Sequence, residues 1–162
     1  MLEEIDADIG NRRLYESPRL SVAGQRDYPD LLKRAAASYD ADWLAAELRR
    51  NSRLNTTEQR RKPKGGYTTV NVPITAAETL AEGEFNRFYL RGLCRRAIDN
   101  GIPSLVIYRA KPVANPRPES VAKESTNIDP KALLTDLRSN PGVDTALGLP
   151  PGPNSGLSAR LP

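Results

Sequence analysis

Apolar positions along this chain fall into short groups separated by long polar stretches, and the spacing within each group predicts a different element. Residues 1–26 carry few periodic apolar positions. Their acidic start, MLEEIDADIG, predicts no more than a short helix, and SPRLSVAGQ reads as an extended connection, so this segment is expected to be an N-terminal arm. At Asp27-Tyr28-Pro29 a capping carboxylate precedes a proline suited to a first helical turn. Leu31, Leu32, Ala35 and Ala36 then supply one apolar face, which predicts a helix over 29–38. Asp40 caps a second helix, ADWLAAELRRN, with Trp43, Leu44 and Leu48 on one side and Arg49 and Arg50 near its C-terminal end, where cations are favourable. Together they predict a helical hairpin.

Thr56-Thr57-Glu58-Gln59 fits a capping box, which predicts a brief polar helix ending at Lys62-Pro63, followed by a turn at Lys64-Gly65-Gly66. YTTVNV, residues 67–72, alternates and is rich in β-branched and aromatic residues, the pattern of a strand. A second capping box, Thr75-Ala76-Ala77-Glu78, opens the longest helix, which runs to about Asn100 with Gly101 as its terminator. The apolar run at 104–109 is short enough for another strand. Strand, long helix, strand predicts a parallel pair with a right-handed crossover if both strands share a sheet.

Beyond Lys111 the composition shifts. Residues 112–128 are proline-rich and read as an extended linker, Asp129-Pro130 opens a short helix over 129–139 presenting Leu133, Leu134 and Leu137, and 140–162 hold five prolines and four glycines in 23 positions. That last stretch is expected to be an extended C-terminal arm. The predicted class is α+β: a compact body over 27–111, in which a helical hairpin precedes a strand, long helix, strand unit, flanked by extended N- and C-terminal arms.

Charge and composition narrow the chemistry. Lys and Arg exceed Asp and Glu by 24 to 20, a net charge of +4. That excess permits an anionic partner without requiring one. Histidine is absent, removing the commonest general base and the commonest ligand for zinc or copper. With one cysteine, Cys94, no intrachain disulfide can form, and no stretch approaches the roughly 20 apolar residues of a membrane-spanning helix. No membrane contact is expected.

The segment EQRRKPKGGYTT carries the clearest candidate surface. Between Arg49 and Lys64 stand seven basic residues and one acid, but the Gly-Lys-Ser/Thr ending of a phosphate loop is missing and the glycines precede a strand instead of opening a helix. Arg60, Arg61, Lys62 and Lys64 are therefore candidate contacts for a partner or for nucleic-acid phosphates, in a basic hinge and not a nucleotide grip. On the long helix Arg87, Arg91 and Arg95 recur every four residues as a second candidate stripe, expected to face solvent, while Phe85, Tyr89, Leu93 and Ala97 form a separate strip expected to face the core. Cys94 beside apolar neighbours reads as a buried, inert thiol. The cluster Glu3, Glu4, Asp6 and Asp8 lacks the glycine turn and terminal glutamate of a calcium loop, so no metal and no other cofactor is assigned. In the C-terminal segment Leu147, Leu149, Leu157 and Leu161 are separated by prolines and are candidate anchors for an arm that becomes ordered against another subunit.

Taken together, EIDADIGNRRLYESPRL, EQRRKPKGGYTT, EGEFNRFYLRGLCRRAI, YRAKPVANPRPES and LGLPPGPNSGL resemble tracts in a group of small proteins of tailed bacteriophages and prophages, over most of the chain. The resemblance implies a phage setting and a virion component, and it carries over no functional residue. The expected function is that of a non-enzymatic virion structural protein, a head decoration or a neck or tail accessory. It would fold in the host cytoplasm and contact phage structural proteins such as the major capsid protein, or further copies of itself, through its arms. The alternative is a nucleic-acid-binding accessory protein that uses the basic segment and the arginine stripe.

Overall fold

The computed structural model describes residues 1–141 and 155–162. In chain order the elements are α1 (Leu2–Gly10), α2 (Val22–Ser38), α3 (Ala41–Arg49), β1 (Thr57–Arg61), β2 (Tyr67–Asn71), α4 (Ala76–Asp99), β3 (Leu105–Arg109), α5 (Pro118–Lys123), β4 (Asn127–Ile128), α6 (Pro130–Ser139) and β5 (Leu157–Arg160). The class is α+β, as the sequence predicts. The chain divides into two compact units: unit 1 comprises Met1–Tyr15 and Gly83–Pro162, and unit 2 comprises Glu16–Glu82.

Unit 1 centres on an antiparallel sheet in the order β4-β3-β5, with Leu105 opposite Ile128 on one side of β3 and Ile107 opposite Ala159 on the other. Alternation along β3 turns Leu105 and Ile107 to one face. They are buried with Leu90, Cys94 and Ala97 of α4, Leu133 and Leu137 of α6, and Leu157 and Ala159 of β5. Helix α6 starts where Asp129 accepts hydrogen bonds from the Lys131 and Ala132 N–H groups, at 3.1 and 3.3 Å, so the predicted cap and first-turn proline are both in place.

Unit 2 holds α2 and α3, the antiparallel β1–β2 hairpin and the first turns of α4. Its buried apolar residues come from α2 (Tyr28, Leu31, Leu32, Ala35), α3 (Leu44, Ala45, Leu48) and the start of α4 (Ala76, Ala77, Leu80). Asp40 caps α3 by accepting from the Trp43 N–H at 2.8 Å, as its spacing predicts. Helix α2 starts seven residues earlier than expected. Ser21, not Asp27, is its cap, accepting from the Gly24 N–H at 3.1 Å, and Pro29 lies inside the helix. Gly24 is required there for another reason: a Cβ on it would stand 2.0 Å from the Arg53 carbonyl oxygen.

Four expectations need correction. Residues 57–61, which carry a capping-box pattern, form strand β1. Antiparallel pairing of this run with residues 67–71 across the turn gives the inward-turned backbone groups partners, and a run this polar has no apolar face to hold a helix in place. The two strands flanking α4 do not form a parallel pair: β2 pairs with β1 and β3 pairs with β4 and β5, in separate sheets and always antiparallel. The proline-rich linker contains a helical turn and a half, α5, with Pro118 at its first position, and the short strand β4. The described parts of the terminal segments are built into the fold: residues 1–15 and 155–162 belong to unit 1, and residues 16–26, with the start of α2, to unit 2. Helix α1 buries Glu4, Ile5 and Asp8, and β5 is an edge strand of the unit 1 sheet.

Candidate functional site

The β1–β2 hairpin is where the basic segment takes a definite shape. A five-residue connection, 62–66, joins the strands, closed by hydrogen bonds from the Lys62 N–H to the Gly66 carbonyl and from the Gly65 N–H to the Lys62 carbonyl, both 3.0 Å. Gly65 and Gly66 adopt φ of +91° and +76°, a conformation that side chains disfavour, so the Gly-Gly pair is what allows the chain to reverse here.

At its base the hairpin is moored to the rest of unit 2. Arg19 grips Glu58 with two hydrogen bonds, Nε to Oε2 at 2.6 Å and Nη2 to Oε1 at 3.2 Å. The Asn55 N–H bonds the Arg19 carbonyl at 2.9 Å and its side chain bonds the Leu20 carbonyl at 3.1 Å. The hydrogen bonds from Arg19, with its charge and that of Arg60, hold the Glu58 carboxyl below its ordinary range against the opposing effect of desolvation. Glu58 is thus a fixed anion turned toward its own unit.

Strand alternation sorts the hairpin into two faces. Glu58, Arg60, Thr68 and Val70 share one, on which Arg60 lies 3.6 Å from Glu58. Thr57, Gln59 and Arg61, opposite Asn71, Thr69 and Tyr67, share the other, and all six are exposed, Tyr67 to 69%. Lys62 and Lys64 lie in the exposed turn that follows Arg61. Among the described residues, no carboxylate pairs with Arg61, Lys62 or Lys64.

The second candidate stripe has the opposite fate. Arg91 is 1% exposed. Its Nη1 and Nη2 bond the two Asp8 oxygens at 2.6 and 2.9 Å, and its Nε bonds Glu4 Oε2 at 2.9 Å. Arg87 is also buried, against Glu84 one turn away, with its Nη1 3.9 Å from Asp8. Arg138 of α6 adds a bidentate contact to Glu4, at 3.0 and 2.6 Å. Arg95, half-exposed, pairs with Glu3. Phe88 lies under both the Arg87 and Arg91 guanidinium groups, at 4.6 and 4.8 Å.

Three carboxylates and three guanidinium groups therefore neutralise one another inside unit 1. Burial raises the Glu4 pKa, but the hydrogen bonds and charges of Arg138 and Arg91 outweigh it and bring the value down to about 2. Burial dominates at Glu84 and raises its pKa despite Arg87. The stripe expected at the surface is a structural ion cluster, and the helix is rotated accordingly: Tyr89, expected in the core, is 41% exposed while Phe88 is buried. The acidic N-terminal cluster supplies the counter-ions; Glu4 and Asp8 are engaged by arginine.

Of the expected arm anchors, Leu157 is 2% exposed and Leu161 packs partly buried against the same core. Both belong to this chain's own unit 1, because β5 pairs with β3 and Asn86 of α4 clamps it, donating to the Leu157 carbonyl at 3.0 Å and accepting from the Ser158 hydroxyl at 2.8 Å. Leu147 and Leu149 lie outside the described residues. The Cys94 thiol is fully buried, and that burial, with the charges of Asp129 and Glu4 adding, pushes its pKa up to about 12. Among the described residues no helix is long and apolar enough to cross a membrane.

Sequence reasoning found the four cations of the hairpin but missed its neutral partners, Thr57, Gln59, Tyr67, Thr69 and Asn71. The signal was present: a Gly-Gly turn immediately before a credible strand calls for a pairing strand on its other side, even a very polar one. No protein-family model matches the chain, and the comparisons with curated proteins and with solved structures return no match.

Proposed function

We propose that this protein is a non-enzymatic structural component of a bacteriophage particle, and that it makes its principal contact with a neighbouring component through the β1–β2 hairpin. The observation that carries the contact reading is the hairpin's outer face, on which all six strand residues are exposed and the adjoining cations lack a carboxylate partner among the described residues. Two strands alone make a marginal sheet, and this one is held at its base by Arg19 and Asn55, which presents the far end to solvent. The phage setting rests on the sequence resemblance. Contact through terminal arms is not part of the proposal for α1 and β5, because both segments are used within unit 1.

Quantitative mass spectrometry of purified particles, with an internal standard for the major capsid protein, tests the placement. A fixed copy ratio is the expected result, and its value separates a shell-wide component from a ring at the neck or tail. Absence from particles together with abundance in infected cells would overturn the placement. Replacing Arg60, Arg61, Lys62 and Lys64 together by alanine is expected to lower incorporation; unchanged incorporation would overturn the role of the hairpin.

A further inference from the structure

We infer that the outer face of the β1–β2 hairpin binds duplex DNA, entering the major groove as a two-stranded ribbon. This deepens the contact reading above and rests on the hairpin being the contact element, but not on where in a particle the protein resides.

The chemistry of the face selects the partner. Thr57, Gln59, Thr69 and Asn71 carry hydroxyls and amides, groups that both donate and accept hydrogen bonds, and Arg61 and Tyr67 stand opposite each other beside the turn. Gln59 and Thr69 already bond each other, Nε2 to Oγ1 at 2.8 Å, which orders the middle of the row. None of the six residues of the face is a carboxylate. The one acid of the hairpin, Glu58, is on the opposite side and held there by Arg19. An acidic protein surface would be matched by cations alone, whereas a duplex offers phosphates for the cations and, between them, base edges that read amides and hydroxyls.

The dimensions agree. Five paired residues extend about 17 Å at roughly 3.3 Å each, about the rise of five base pairs, and a two-stranded ribbon fits the roughly 12 Å width of the major groove. With the row in the groove, Lys62 and Lys64 at the turn are placed to meet phosphates. Arg60, on the other face near Glu58, takes a lesser part.

The test is fluorescence anisotropy of the full chain with a labelled mixed-sequence duplex of about 20 base pairs and with a single strand of the same length, across a salt series. The duplex is expected to bind more tightly than the single strand, with affinity falling as salt rises. Each phosphate contact contributes about 0.9 to the slope of log K against log salt, so a variant with Arg61, Lys62 and Lys64 replaced by alanine should flatten that slope by up to about 3 and weaken binding about tenfold or more at low salt. A variant with Gln59→Ala and Asn71→Ala should bind the duplex more weakly with the slope unchanged, because it removes neutral contacts only. All these side chains are exposed, and unchanged circular dichroism checks that the fold is retained.

Three results would overturn the inference: no binding to the duplex at low salt, tighter binding to the single strand, or full duplex affinity in the Gln59 and Asn71 variant. Loss of DNA binding with particle incorporation still dependent on the hairpin would leave the contact reading standing with a protein as partner. Retained DNA binding by a protein absent from particles would sink only the virion placement.

Discussion

Arginine serves opposite ends in the two units. On α4 of unit 1, Arg87 and Arg91 are buried against Glu84, Glu4 and Asp8, whereas on the hairpin of unit 2 Arg61 stands exposed beside Lys62 and Lys64. The residue type is the same. What differs is the supply of counter-ions: α1 brings two carboxylates to α4 from more than eighty residues away in sequence, and among the described residues nothing comparable reaches the turn of the hairpin. A basic cluster is a binding surface only where the fold has not already neutralised it.

The largest effect is expected at Arg91. Arg91→Ala leaves Glu4 and Asp8 buried without their shared partner, and breaking a buried pair from one side costs about 3–5 kcal/mol. Denaturant unfolding should show that loss, and a change below about 1 kcal/mol would mean the cluster contributes little. Lysine should restore only part of it, since a single ammonium cannot reproduce the fork that holds both Asp8 oxygens.

Leu157→Ala comes next, at about 2–5 kcal/mol for a buried leucine. Were the segment after 154 a free arm, the same substitution would be neutral, so the stability of this variant decides between a built-in strand and an arm.

Acid separates two of the three carboxylates of the ion cluster, Glu4 and Glu84. The Glu4 pKa is depressed to about 2 from an ordinary value of 4.5, so its contribution is fully present above about pH 4.5 and is lost as the pH falls toward 2. Glu84 has the opposite sign: its pKa is raised, folding disfavours its ionised form, and stability increases as the pH falls through its folded pKa. Unfolding at a series of pH values should therefore give a shallower acid loss in Glu4→Gln and a steeper one in Glu84→Gln than in the parent chain. Identical slopes in all three proteins would show that neither group is linked to folding in this way.

On the hairpin the stability effects are small. Arg19→Ala removes a solvent-screened pair and should change global stability little, yet it unfastens the base of the ribbon, so amide exchange in β1 and β2 should quicken while α2 and α3 keep their protection. Unchanged exchange would place the mooring in the hydrogen bonds of Asn55 instead. Alanine at Arg61, Lys62 or Lys64 should change stability by no more than about 0.5 kcal/mol each, because these side chains make no ion pair among the described residues. A larger loss at any of them would mean that the hairpin cations, like those of α4, serve the fold.

The amino-acid sequence by itself determines the elements that local chemistry defines. Asp40 and Asp129 cap helices, Gly101 follows the end of α4 at φ +65°, YTTVN forms a strand, and Cys94 is buried, because each depends on residues within a turn or two of one another or on a short apolar period. Tertiary structure decided the rest. Whether TEQRR is helix or strand turned on a pairing partner ten residues on; whether the arginines of α4 face solvent turned on carboxylates in α1; and whether Leu157 is an anchor for another subunit or a core residue turned on an open edge of β3. In each case the free energy lies in a pairing between segments, of backbone groups, of charges or of apolar surface; a Gly-Gly turn marks the first, but for the other two composition and spacing carry no record of which distant partner arrives.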